Sequence, residues 1–165
     1  MADKNDCLKC KMVNRGKFTL KEDGKVELNW LEGEREKAKF AIHVYALVEV
    51  DKNGVSWVRY VGETTNSLLK RMDQYLKGYK NKKNQPTNHK VHENILESLK
   101  KGHQVVLLSL LDDKPITWAG SKVNLAKGIE SALIANWLPE WNGSRGKKLQ
   151  LVSSGEKVEL IKHLY

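Results

Sequence analysis

Short apolar runs and alternating polar and apolar residues divide the first part of the chain into strands. Residues 16–30 alternate around an Asp-Gly pair that is typical of a tight turn, which predicts a β-hairpin. Residues 40–50, FAIHVYALVEV, form a continuous apolar run rich in β-branched side chains, which predicts a central strand. An Asn-Gly turn at 53–54 then leads into a second strand over 55–61. These segments predict two paired strands that follow an N-terminal hairpin.

Three later segments have the apolar spacing of helices. The stretch GETTN, 62–66, predicts a glycine turn before the first helix, with Thr65, Asn66 or Ser67 as its N-cap. The lysine-rich stretch 77–90 and the stretch 112–124 predict loops, and QVVLLSLL at 104–111 predicts a third core strand. The apolar stripes of the helices are Leu68, Leu69, Met72 and Leu76, then Val91, Ile95 and Leu99, then Leu125, Ile129, Leu133 and Trp137.

The order hairpin, strand, strand, helix, helix, strand, helix predicts an α+β fold. We expect a small, mainly antiparallel central sheet flanked by helices, with the N-terminal β-hairpin as an elaboration. The length of 165 residues is enough for one ordinary domain. We expect residues 1–39 to form a basic arm and the hairpin, 40–146 the domain that carries the candidate chemistry, and 147–165 an extension packed on that domain.

The charge balance adds a class of partner to this fold. The chain has 29 Lys and Arg against 20 Asp and Glu, a net charge of +9. This excess predicts a polyanionic partner such as a phosphate backbone, although a basic surface that keeps the protein soluble is the alternative.

No run approaches the ~18 apolar residues of a membrane span, and the charged N-terminus lacks a secretory signal, so we expect a cytoplasmic protein. Cys7 and Cys10 form a C-x-x-C without a second ligand pair, which favours free thiols over zinc.

Several of these segments carry a motif. The sequence HVYALVEV, then RYVGETTNSLLKRMDQY, then GIESALIANWLPEWNGSRG resembles the GIY-YIG nucleases over residues 41–146. The tripeptide HVY at 43–45 stands at the family's G-I-Y, with His43 at a position that is usually small, and YVG at 60–62 stands at its Y-I-G. In layout the chain is most similar to the stand-alone type II restriction endonucleases and the phage endonuclease II. The family's helix arginine, the following histidine or tyrosine, its metal-binding glutamate and its later asparagine correspond to Arg71, Tyr75, Glu130 and Asn142.

The resemblance implies a DNA endonuclease that hydrolyses phosphodiester bonds with a divalent metal. It implies that Glu130 is the ligand of Mg²⁺, or of Mn²⁺ in its place, and that Arg71 grips the scissile phosphate. From spacing alone, Glu130 is a solvated helix residue, and Arg71 is a surface arginine paired with Asp73 or Glu63.

The resemblance also gives roles to the tyrosines and to two neighbouring positions. Tyr45 is the candidate general base, with a pKa lowered by nearby positive charge, although either strand tyrosine fits that role. Tyr60 and Lys70 help to order the water or the phosphate, and Tyr75 hydrogen-bonds to one of them. A core packing role is the alternative for Tyr45 and Tyr60. Asn142 is expected to brace the site, and Gly62 to allow a close backbone approach at a strand-to-helix turn.

Basic residues flank the candidate site and fit tracking along double-stranded DNA, although charge runs are often only solvated loops. Cutting both strands with one site per chain normally needs two copies, so we expect a homodimer or homotetramer.

The class of enzyme stays open between a restriction or phage endonuclease and a structure-selective repair nuclease, and a non-catalytic DNA-binding module is the third alternative. We favour helix capping for His89 and His92 and packing for Trp118 and Trp141. The flanking cations are Lys77, Lys80, Lys82, Lys83, Lys90, Arg145, Lys147 and Lys148.

Overall fold

The structure, a computed structural model, describes residues 12–39, 41–78, 83–111, 116–123, 125–143 and 150–151. Its described part contains eight strands, four α-helices and a short 3₁₀ helix, Glu140–Asn142. The strands are β1 Val13–Leu20, β2 Val26–Trp30, β3 Ala41–Val50, β4 Ser56–Ser67, β5 Gln104–Leu111, β6 Ile116–Trp118, β7 Ser121–Val123 and β8 Gln150–Leu151. The helices are α1 Glu34–Lys37, α2 Leu68–Leu76, α3 Pro86–Lys100 and α4 Leu125–Trp137.

The main sheet has six strands in the order β2-β1-β5-β3-β4-β8, and every neighbouring pair is antiparallel. The expected α+β fold with a mainly antiparallel sheet is confirmed. The N-terminal hairpin joins this sheet through the backbone ladder between β1 and β5. The buried guanidinium of Arg15 adds a side-chain contact between the same two strands. Arg15 is 3% exposed, donates from Nε to Ser109 Oγ on β5 at 2.8 Å, and pairs with Glu34 on α1. No helix among the described residues is long and apolar enough to cross a membrane.

The helices pack on both faces of the sheet, along the stripes expected from the sequence. Leu68 and Met72 of α2 and Val91 and Ile95 of α3 are buried against one face. The opposite face is covered by α4, whose Leu133 is 1% exposed. Alternate residues of β3 therefore enter two different cores, because successive side chains of a strand point to opposite faces.

Two predicted loops are partly wrong. The lysine-rich stretch 77–90 contains the first turn of α3, which begins at Pro86 because proline has no amide hydrogen to lose at that position. The stretch 112–124 contains the β6–β7 hairpin, whose turn residues Ala119 and Gly120 both have positive φ. Two such residues in sequence suit the right-handed twist of paired strands.

The predicted glycine turn at 62–66 is also wrong, since β4 continues to Ser67. β3 supplies hydrogen-bonding partners as far as Ala41, so the ladder extends past the glycine, and α2 follows directly with Ser67 as N-cap. Gly62 lies in the strand directly opposite Tyr45. A Cβ atom at Gly62 would lie 2.5 Å from the Tyr45 hydroxyl oxygen and 2.6 Å from its Cζ. The glycine is needed because a tyrosine ring crosses the strand there, and not because the backbone turns.

We expect Gly62→Ala to destabilise the protein by about 1–3 kcal/mol, because the added methyl group overlaps a buried ring that has no room to move. This corresponds to a fall in Tm of roughly 2–4 °C per kcal/mol in thermal unfolding. The matched control is Gly128→Ala on α4, where a Cβ atom meets nothing within 4 Å. There alanine should stabilise the helix by about 1 kcal/mol. Equal Tm values for the two variants would contradict the packing argument.

Candidate active site

Three tyrosine hydroxyls meet between the sheet and α2. The hydroxyl oxygens of Tyr45 and Tyr75 are 2.6 Å apart, and the Tyr75 hydroxyl donates to that of Tyr60 at 3.3 Å. The strand register places Tyr60 opposite Leu47, two residues along from Tyr45, so the two strand tyrosines share a face. The ring centroids are 6.1–6.3 Å apart. The sequence-predicted residues Tyr45, Tyr60 and Tyr75 therefore form one hydrogen-bonded cluster.

Burial controls the acidity of this cluster. Tyr45 and Tyr75 are each 1% exposed. Burial, and next the neighbouring Tyr60, raise the pKa of Tyr45 well above its ordinary value, while Arg71 acts in the lowering direction. Burial likewise raises the pKa of Tyr75, followed by the effects of Tyr45 and Tyr60. The expected lowering of the Tyr45 pKa is wrong for this structure, because desolvation of a phenolate outweighs the nearby guanidinium.

Arg71 lies on α2, next to the tyrosines, with unused hydrogen-bonding capacity. Its Nη1 donates to Gln74 Oε1 at 3.1 Å, one turn further along the helix. Its Nε is buried and has no hydrogen-bond partner. The described residues hold no ion pair from Arg71 to Asp73 or Glu63, the two partners that the sequence offered as an alternative. A half-buried guanidinium with a free donor is suited to an anionic ligand.

Glu130 lies on α4, which covers the opposite face of the sheet. Burial raises the pKa of Glu130 first, and the carboxylate of Glu63 raises it second. The backbone amide of Glu63, then Lys127 and Arg71, act in the lowering direction. Glu130 in turn disfavours ionisation of Tyr45. Arg71 thus acts to lower the pKa of both Glu130 and Tyr45, although burial keeps both pKa values raised.

Glu63 is a site residue that the sequence offered only as an ion-pair partner for Arg71. It directly follows Gly62 on β4, and its Oε2 is buried without a hydrogen-bond partner. The sequence shows only that an acidic residue follows the motif glycine. Which helix faces Glu63 depends on the strand register, which the local sequence does not reveal. His43, at the position expected to be small, is completely buried on β3 and pairs with Thr64 on β4.

Asn142 braces the site through the backbone, as expected from the sequence. Its Oδ1 accepts from the Val61 amide at 2.9 Å, and its Nδ2 donates to the Val61 carbonyl at 2.8 Å. No described strand pairs with the outer edge of β4 at Val61. The two hydrogen bonds from Asn142 satisfy the backbone amide and carbonyl of Val61 there instead. The neighbouring Glu140 accepts from Arg59 Nη1 at 2.6 Å. The 3₁₀ helix is thus fixed to β4 at two points, and the amide of Asn142 is committed to Val61.

A second ion network stabilises the same docked segment. Glu49 is 4% exposed and accepts from Arg59 Nε at 2.5 Å, and its other oxygen is 2.8 Å from His103 Nδ1. Burial acts to raise the pKa of Glu49, but hydrogen bonds from His103, Ser98 and Arg59 outweigh it and lower that pKa. The polar cleft of about 350 Å³ beside it is lined by Glu49, Arg59 and Glu140 of this network and also by Lys90 and Asn94.

The predicted substrate-binding cations lie around this site to different extents. Lys70, Lys77 and Lys83 are exposed, the first two on and just after α2. Lys90 on α3 lines a pocket of about 290 Å³ together with Tyr60, Thr87 and Asn142. Outside the described residues lie Lys80, Lys82, Arg145, Lys147, Lys148, Cys7 and Cys10.

The expectations for histidine and tryptophan are settled in part. His92 contacts the Tyr75 carbonyl through Nδ1 at 3.0 Å, within the α2–α3 packing, so its role is not the capping of α3. Trp141 packs against the core as expected. The described residues contain no group of three or more His, Cys, Asp or Glu side chains that is arranged to hold a metal ion.

Comparison with known proteins supports the fold. No protein-family model and no curated protein sequence matches the chain. Among solved structures, a mutant of bacteriophage T4 EndoII matches with a TM-score of 0.61 and 18% identity, over 81% of this chain and 93% of that one. The restriction endonuclease HPY188I in complex with product DNA matches with a TM-score of 0.46 and 21% identity, over 84% of this chain and 78% of that one. The resemblance expected from the sequence is confirmed as a resemblance of fold to the phage endonuclease.

We expect Asn142→Ala to expose the Val61 amide to hydrogen exchange. Losing two hydrogen bonds, each worth about 0.5–1.5 kcal/mol, should speed exchange of that amide by roughly tenfold or more. Asn142→Asp keeps the acceptor for the amide but sets a carboxylate oxygen against the Val61 carbonyl, so it should protect the amide and still lower Tm. Asn84→Ala, at an exposed turn, is the control. Unchanged exchange at Val61 in Asn142→Ala would refute the bracing role.

Glu130→Gln should raise Tm at pH 7, because the folded protein disfavours the Glu130 carboxylate. The sign follows from linkage. A carboxyl whose pKa is raised on folding destabilises the fold above that pKa, and the effect disappears below the unfolded pKa of about 4. Thermal unfolding between pH 4 and 8 should therefore show a gain that shrinks as the pH falls. Glu93→Gln, at an exposed position on α3, should leave Tm unchanged throughout. A lower Tm for Glu130→Gln at pH 7 would contradict this account.

Proposed function

We propose that this chain is a metal-dependent DNA endonuclease that hydrolyses phosphodiester bonds in double-stranded DNA. The observation that supports the proposal most is the electrostatic convergence of Arg71, Glu130 and Tyr45, in which the guanidinium Nε has no partner in the protein. Proteins rarely leave buried polar groups unsatisfied away from functional sites. The fold shared with a phage endonuclease adds support.

Arg71 is assigned to the scissile phosphate. Its planar fork can donate two parallel hydrogen bonds to phosphate oxygens, and its charge persists at every relevant pH. Charge grows on those oxygens as the phosphorus accepts the attacking water, so a donor already in place lowers the barrier without reorganising. Since Nη1 is held by Gln74, the guanidinium is oriented before substrate arrives.

The tyrosine cluster is assigned to ordering the attacking water and the phosphate. Tyr60 is the least buried of the three hydroxyl-bearing rings and lines the pocket that contains Lys90. Tyr45 is protonated at neutral pH in this structure, so it serves there as a hydrogen-bonding group. Its use as the general base requires its pKa to fall when substrate binds, and Arg71 already acts in that direction.

Glu130 is assigned to Mg²⁺, or to Mn²⁺ in its place. The residues fit such an ion, because the Glu130 carboxylate lies beside a second acidic residue whose buried oxygen has no partner. A hard divalent cation commonly takes one or two carboxylates and keeps several waters. When bound, it supplies Lewis-acid stabilisation of the phosphate charge and a more acidic water.

Exposed lysines around the site are assigned to the DNA backbone. Lys70, Lys77, Lys83 and Lys90 belong to this group among the described residues. We include Lys80, Lys82 and Arg145, which lie outside them, on the strength of the sequence. Contacts of this kind give affinity without sequence preference and weaken as salt rises. We assign the enzyme to the restriction or phage type, acting as a homodimer or homotetramer because both strands must be cut.

We expect the purified protein to cut supercoiled plasmid in the presence of Mg²⁺. Arg71→Gln and Glu130→Gln should each reduce the cleavage rate by about 10²-fold or more, because each removes a group that acts on the transition state. Both variants should still shift duplex DNA in a gel, since the exposed lysines are unchanged. The matched controls are Arg35→Gln and Glu93→Gln, both exposed and outside the site, which should cut like the unaltered protein.

The same assay separates the alternatives. Binding to DNA without cleavage under any divalent metal would favour a non-catalytic DNA-binding module. Faster cutting of flaps and branches than of linear duplex would favour a repair nuclease. Discrete products from mixed linear DNA would support a site-specific restriction enzyme.

A further inference from the structure

Glu63 has been described so far only as an acidic neighbour of Glu130, and no ligand has been assigned to its own side chain. It lies on β4 between Gly62 and Thr64, in the strand that carries the second tyrosine. Its Oε2 is buried and makes no hydrogen bond. A buried carboxylate oxygen without a donor is unfavourable in the protein alone, so its position is not explained by a structural role.

The acidic neighbour of Glu63 indicates that its carboxylate lacks a positively charged partner. Its carboxylate is the main charged group that disfavours ionisation of Glu130, and its backbone amide interacts favourably with the Glu130 carboxylate. Glu63 pairs with Val44 on β3, and Val44 packs in the core under α4, so Glu63 points to the face of the sheet on which α4 carries Glu130. Two carboxylates held together in a partly buried site repel each other, and a cation between them removes the cost for both.

Arg71 is not that cation in this structure. Its Nε is itself buried without an acceptor, and no ion pair joins it to Glu63 among the described residues. Both groups therefore remain available for ligands, the guanidinium for an anion and the carboxylate for a cation.

We propose that Glu63 is a second carboxylate ligand of the divalent cation held by Glu130. This inference rests on the proposed function, because it concerns the metal of the same site. Two carboxylates from different elements, with waters completing the shell, match the ligands that Mg²⁺ commonly takes in proteins. Glu63 would also place that ion at the edge of β4, next to Gly62 and the tyrosine that crosses it.

The test is the binding of Mn²⁺ alone, without DNA, followed by the electron paramagnetic resonance signal of the free ion. Glu63→Gln should weaken binding by about tenfold or more, and Glu130→Gln should abolish it. Glu93→Gln, at an exposed position on α3, should bind like the unaltered protein. Glu63→Asp, which keeps a carboxylate, should recover part of the affinity that Glu63→Gln loses. Circular dichroism of each variant checks that it is folded.

A count of the waters on the bound Mn²⁺, from spectra in ¹⁷O-enriched water, separates a ligand from a nearby charge. Glu63→Met should add one water to the shell, because a directly bound oxygen has been removed. Weaker binding with an unchanged water count would overturn the proposal, as would unchanged affinity in Glu63→Gln. Neither result would affect the proposed nuclease. Mn²⁺ binding that survives Glu130→Gln would instead contradict the metal assignment in the proposed function itself.

Discussion

The site depends on one close approach, that of the Tyr45 ring to the backbone of Gly62. The β3–β4 ladder sets these two residues directly opposite each other, and the absence of a side chain at Gly62 lets the phenol cross the strand. From there its hydroxyl reaches Tyr75 on α2. A slip of one residue in this register would move Tyr45 to the face covered by α4 and would separate the tyrosines. The apolar residues that alternate with Tyr45 on β3 hold the register, because they fill the core under α4.

The buried charged groups of two other networks in the described chain have partners, whereas Arg71 and Glu63 each have an unsatisfied atom. Arg15 is buried with both Glu34 and Ser109, and Glu49 accepts from Arg59 and contacts His103. Those networks join distant segments and fix the sheet and the 3₁₀ helix. Unsatisfied buried atoms occur on Arg71 and Glu63, near a glutamate whose pKa is raised by burial and by its neighbour, and also on His89 at Nδ1. The protein alone gains nothing from this arrangement, whereas a phosphate and a cation would satisfy it.

The sequence predicted the elements better than it predicted their interactions. Apolar spacing identified the three long helices and the strands they cover, because packing of one face dominates the stability of such helices. The predicted turn at Gly62 was wrong. A glycine before a helix usually marks a turn, but β3 extends far enough to pair with β4 as far as Ser67. The sequence also failed for the pKa of Tyr45 and overlooked Glu63 as a site residue. Both errors concern the burial of a side chain. That burial depends on how α2 and α4 pack on the sheet, and the local sequence carries no pattern that reveals it.

The groups assigned to the site lie on opposite faces of the sheet, near the outer edge of β4. The tyrosines lie under α2 and α3, while Glu130 comes from α4 on the other face. A strand in the middle of a sheet would keep such groups apart, whereas β4 has an outer edge around which they can interact. An open edge normally invites pairing with another chain. Asn142 satisfies the backbone of Val61 there with a single side chain, and β8 pairs only with Ser56 and Trp57. Among the described residues, the edge is therefore protected at Val61 without being covered by a full strand.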